Sequence, residues 1–209
     1  MTLLARKEGL STADFRNYWA GPHAALALGM DGISKYTHNR VDKVLWASGG
    51  KPVFDVDGIV ELFFSDAEAM RQAQACAVGT KFIPADEPNF LKGWSLCVVE
   101  TDGEEPCEGG VKVIVPFHAS AQAREGLWDG LCRVGAEMRA KVALNWTVST
   151  AGRERLWTEP NPPSGFMCIW LESVAKAHAS FEPSSELLRF IETHVSEAAA
   201  YLIDELRIR

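Results

Sequence analysis

The chain has 209 residues, 47% of them apolar and 23% charged, a globular balance that excludes a disordered or fibrous protein. Its 28 acidic against 21 basic residues give a net charge of −7. No run of Lys and Arg offers the positive surface that a phosphate backbone needs, so nucleic acid is not an expected partner. No apolar run approaches the ~20 residues of a membrane span. The start Met1-Thr-Leu-Leu-Ala-Arg-Lys-Glu8 is charged too soon for a signal-peptide core, so a soluble, cytoplasmic protein is expected.

From the N-terminus, Leu3 to Ala5 reads as a short strand. Ser11-Thr-Ala-Asp14 has the form of a capping box with Asp in place of Glu or Gln, opening a helix to about Met30. Pro22 lies inside it and predicts a kink, because proline donates no backbone hydrogen bond. An extended segment from Ile33 to Val41 follows, then a glycine-bearing loop and a strand from Ile59 to Phe64. Asp66 caps a second helix to about Val78, and Trp94 to Glu100 reads as a strand. The acidic, glycine-bearing stretch 101–110 has no apolar periodicity and reads as a linker.

Beyond it, Val111 to Phe117 is a strand and Ser120 to Ala140 a helix. Strands are expected at Ala143 to Ser149 and, after the turn-rich 158–165, at Phe166 to Leu171. A helical region around Ser184 to Ser196 precedes Tyr201 to Ile208, which fits a strand or a helical tail. Both halves, 1–105 and 106–209, therefore read β-α-β-β-α-β, the ferredoxin-like unit, with Trp19 and Trp128 at corresponding places. Each such unit leaves one sheet face uncovered. Two units can cover one another as an α+β barrel of eight strands within one chain, wide enough for side chains or one small ligand.

Five cysteines (Cys76, Cys97, Cys107, Cys132, Cys168) are odd in number and lack C-x-x-C or zinc-finger spacing, which sets aside a disulfide scaffold and structural zinc. G-x-S-x-G, G-x-G-x-x-G, Walker A and H-E-x-x-H are missing from the sequence, so nothing supports the hydrolase, dinucleotide, P-loop or zincin classes. His23 is the first candidate for chemistry, since imidazole exchanges protons near neutrality, and Trp19, four residues earlier, shares its helical face. Tyr36 and His38 alternate onto one face of the next strand, which would line the cavity if that face is the barrel interior. A half-exposed strand with His38 turned to water is the favoured reading for that residue. Asp86 or Glu87 could orient His23. Among the seven tryptophans, Trp146 and Trp170 stand on strands as candidate cavity walls.

The segment Asp14-Phe-Arg-Asn-Tyr-Trp-Ala-Gly-Pro-His-Ala-Ala-Leu26, with Ile33, Tyr36 and Asn39 after it and Asp86-Glu-Pro-Asn-Phe90 further on, resembles the EthD family of the dimeric α+β barrel superfamily. The likeness covers the first half; in the second, Cys132 stands where His23 would be. It implies the barrel fold and a spread of activities, from cofactor-independent oxygenases, decarboxylases and lactone isomerases to haem-degrading enzymes. The expectation is an enzyme without a cofactor or metal, acting on a small hydrophobic or aromatic ligand. His23, Tyr36 and Asp86 are its catalytic candidates, and Trp19, His38, Asn89, Phe90, Trp146 and Trp170 its substrate-binding ones. A non-catalytic ligand-binding barrel and a haem-binding barrel are the alternatives. Duplication within one chain fits a monomer and leaves a homodimer open.

Overall fold

Alternation along the strands decides the architecture, and the computed structural model shows where each face turns; it describes residues 1–103, 109–154, 156 and 161–209. In the first half the order is β1 (Thr2–Arg6), α1 (Thr12–Tyr18), a π-helical turn (Trp19–His23), α2 (Ala24–Ala27), β2 (Ile33–Ala47), β3 (Gly58–Phe64) and α3 (Ala67–Ala75). A second π-helical turn (Val78–Phe82), α4 (Ile83–Asp86) and β4 (Leu91–Gly103) complete it. The second half runs β5 (Val111–His118), α5 (Arg124–Met138), β6 (Lys141–Ala151), β7 (Gly165–Leu171), α6 (Val174–Ser180), α7 (Glu186–His194) and β8 (Glu197–Arg207).

All strand pairs are antiparallel, and the eight strands close in the order β1-β3-β2-β8-β5-β7-β6-β4. The halves have the same internal order and join through β2–β8 and β4–β6. The fold is an α+β barrel of two ferredoxin-like βαββαβ units in one chain. Among the described residues no helix is long and apolar enough to cross a membrane.

Period two sorts the side chains into three cores. Leu3, Ile59, Cys97, Ile114, Phe166, Cys168 and Tyr201 point into the barrel. Their strand neighbours Leu4, Val60, Trp94 and Tyr36 point outward and pack beneath Phe15, Trp19 and Phe90. A matching outer layer in the second half buries Leu127, Leu131 and Ile191 over β5 to β8. Phe15, Trp19 and Phe90 are fully buried, each contributing about 1.5–3 kcal/mol.

The caps form as expected: Ser11 Oγ accepts from Asp14 N at 3.0 Å and Asp66 Oδ1 from Ala69 N at 2.8 Å. Several boundaries differ. β2 extends to Ala47 because its far end must pair with β8. β4 continues through Gly103, paired with β6, so 101–103 belong to a strand and not to a linker. The C-terminal segment is a strand, and α6 is a helix that the apolar pattern did not announce. Residues 104–108 of the expected linker, with Cys107, lie outside the described residues, as do 158–160 of the turn-rich stretch and Trp157.

Candidate active site

Pro22 interrupts the hydrogen-bond ladder of the first helix, as a residue without a backbone N–H must. The turn widens to π geometry over Trp19–His23, with the Trp19 carbonyl accepting from Ala24 N five residues on. Trp19 and His23 both end up buried on the inner side. Asp86 closes α4, directly after the other π-helical turn. The two irregular segments bring His23 Nδ1 within 2.8 Å of Asp86 Oδ2. The other carboxylate oxygen accepts from the Tyr18 hydroxyl at 2.6 Å and from Asn89 Nδ2 at 3.3 Å.

Electrostatics assigns the protons. Burial opposes ionisation of Asp86, but hydrogen bonds from Tyr18, His23 and Asn89 outweigh it and hold the carboxyl below its usual range. Burial pushes the His23 imidazole down further than Asp86 raises it, so the ring is neutral at pH 7. A neutral imidazole beside a carboxylate donates from Nδ1, which leaves its basic lone pair on Nε2.

His23 lines a cavity of about 190 Å³ between the helices and the outer face of the sheet, walled by Leu4, Met30, Tyr36, Val60, Trp94 and Leu96. Burial raises the Tyr36 pKa, so this residue presents a neutral phenol to the cavity. Glu87 and Arg153 add charged groups to the lining. Arg153 Nε donates to Glu87 Oε2 at 2.9 Å, and its guanidinium lies 4.3 Å from the Trp94 ring centroid. Burial lifts the Glu87 carboxyl to about 7 despite Arg153.

Of the sequence candidates, the structure brings His23, Tyr36 and Asp86 to one place. Asn89 joins them through Asp86 and Tyr18. Phe90 packs behind the imidazole, 4.7 Å between ring centroids, and Trp19 stacks on His38; neither lines the cavity. His38 is fully buried and not turned to water, because the Tyr36 face looks toward the helices and not into the barrel. Trp146 and Trp170 are remote from His23: Trp146 packs beside Phe117 under the second helical layer, and Trp170 lies inside the barrel with Lys112 Nζ 5.4 Å from its ring centroid. Tyr18, Trp94 and Arg153 are site residues that sequence reasoning missed. Tyr18 could have been found, standing one residue before Trp19 in the opening helix. Arg153 follows strand β6 of the other half and carries no local signal.

Residues 7–93, which hold His23, Tyr36, Asp86 and Asn89, match the EthD domain family. Solved structures share the whole barrel around this segment at low identity. An anthrone oxidase-like protein aligns over 99% of this chain and 91% of its own, at 12% identity and a TM-score of 0.64. A candidate monooxygenase from Lactobacillus acidophilus NCFM aligns over 100% and 92%, at 9% and 0.54. A candidate chlorite dismutase aligns over 97% and 92%, at 10% and 0.52. No curated protein matches the chain in sequence. These likenesses carry the fold; the EthD match adds a family likeness for the segment that contains the dyad.

Proposed function

We propose that the protein is an enzyme whose EthD half removes an acidic proton from a small aromatic or otherwise conjugated apolar molecule, with His23 as general base. The observation that carries this reading is the 2.8 Å hydrogen bond from His23 Nδ1 to Asp86 at the wall of an apolar cavity. A base of this strength takes protons from phenols, or from carbon flanked by carbonyls and aromatic rings, at neutral pH. The Nε2 lone pair receives the proton, and the C–H electron pair stays on the substrate, delocalised toward its oxygen. Asp86 balances the imidazolium, and the neutral Tyr36 phenol is a donor for the oxyanion.

That anion is the intermediate of oxygenation by dioxygen and of isomerisation; in decarboxylation, the third reaction type that the family resemblance implies, loss of carbon dioxide generates the same kind of anion, which an imidazolium then protonates. Attack by the anion on dioxygen needs no cofactor of the protein. The anthrone oxidase-like designation of one structural neighbour fits the same chemistry, because anthrone carries an acidic methylene between two aryl rings.

Anthrone in deuterated buffer without oxygen tests the proton step apart from any later one. The protein is expected to accelerate deuterium entry at that methylene, and H23Q to lose the acceleration. Equal exchange in both proteins would remove His23 from the role.

A further inference from the structure

The His23 cavity has a neighbour. A second cavity of about 440 Å³ opens beside the Val78–Phe82 turn, lined by Thr80, Lys81, Pro84, Gly152 and Glu154, most of them exposed. Among the described residues, Glu87 and Arg153 line both cavities. A buried carboxyl, 2% exposed, and a guanidinium therefore stand between a solvent-facing cleft and an apolar interior.

Arg153 is held in place from two sides. The face of Trp94 fixes one side of its plane, and Glu87 takes hydrogen bonds from Nε at 2.9 Å and Nη2 at 3.4 Å. Glu87 is an imperfect counter-ion: burial lifts its carboxyl to about 7, so near neutrality much of it is uncharged. Lys81 adds a second positive charge on the cleft side, against Glu154.

We infer that Arg153 selects substrates that carry an anionic group. The apolar body lies in the inner cavity beside His23, and a carboxylate docks on the guanidinium at the junction with the outer cleft. Arg153 is thus a specificity residue that the second half of the chain supplies to the EthD half. The inference rests on the reading that the inner cavity holds the substrate, and it narrows that substrate to an amphiphilic acid.

Calorimetric titration with 2-naphthoate and with 2-naphthamide, equal in shape and different in charge, tests it. Wild-type protein is expected to bind the acid at least about tenfold more tightly than the amide, as a charge-assisted hydrogen bond supplies. R153M should erase the preference. The double variant E87Q/R153M should erase it too, without leaving a buried carboxyl unpaired, and E87Q alone should keep or enlarge it. Equal affinity for acid and amide in the wild type, or a preference that survives in both R153M and the double variant, would overturn the inference and leave the cavity reading intact. Binding of neither compound would overturn both.

Discussion

Trp19 and His38 stack face to face, with ring centroids 3.9 Å apart and planes 12° from parallel. His38 is fully buried, and among the described residues neither of its ring nitrogens has a hydrogen-bond partner. Burial, reinforced by His23 and Arg40, pushes its pKa from 6.5 to about 3. The ring serves as a flat neutral spacer between Trp19 and Tyr36, which it meets edge-on at 4.7 Å.

A proton linkage follows. Between pH 6.5 and about 3 the unfolded chain holds a proton at this position that the native one does not, so the group's contribution to stability falls as pH falls through that window. The slope is about 1.4 kcal/mol per pH unit at most. In H38F that slope should vanish, while stability at pH 7 holds or rises because an unpartnered imidazole has gone. Urea midpoints of both proteins from pH 4 to 7 measure it; parallel pH curves would contradict the account.

Gly58 makes room for the same stack. A Cβ at this position would lie 2.5 Å from Trp19 Cζ3. G58A should cost about 1–3 kcal/mol as an overpacked core, and the displaced indole should alter near-ultraviolet circular dichroism. A variant of wild-type stability would show that the ring gives way freely.

In the proposed mechanism Asp86 acts through His23, to which it is hydrogen-bonded. D86N keeps the shape but removes the charge that supports the imidazolium, so His23 should titrate still lower and proton abstraction should slow by about 100-fold or more. In the wild type the rate should rise with pH through the depressed His23 pKa, below 6.5, and then level off. A rate still rising above pH 7 would point to a different base.

Inside the barrel, Lys112 Nζ lies 2.7 Å from Glu61 Oε2 and 3.1 Å from Glu205 Oε2, linking β5 to β3 and β8 across the two halves. Burial alone would raise the Glu61 pKa, but Lys112 and Asn39 bring it below the usual range. K112M should therefore cost about 3–5 kcal/mol, and K112M/E61L should recover part of it, since the unpaired buried charge is the expensive species. Thermal unfolding of both variants decides between that cost and a merely steric one.

The fold was legible where a local rule spoke. Period two in Ile59 to Phe64 and Phe166 to Leu171 marks strands, Ser11 and Asp66 mark helix starts, and Pro22 marks the irregular turn that carries His23. Asp86 was within reach because the family resemblance covers its segment. What stayed hidden depends on closure of the barrel. Whether Tyr36 faces the lumen or the helices is decided by which layer covers the sheet, and alternation gives two faces without saying which is inside. Trp146 and Trp170 look alike as strand aromatics and lie on opposite sides of the barrel wall. Arg153 reaches Glu87 across 66 positions of sequence, a separation at which no periodicity or spacing rule operates.

The proposed proton transfer requires His23 to be a neutral imidazole with its proton on Nδ1, held there by Asp86. Nitrogen-15 correlation spectra of histidine-labelled protein, with H23Q to assign the signal, report tautomer and titration together. The expected result is the Nδ1–H form of His23 at pH 7 and a midpoint below 6.5. An Nε2–H tautomer, or an imidazolium that persists above pH 7, would contradict it.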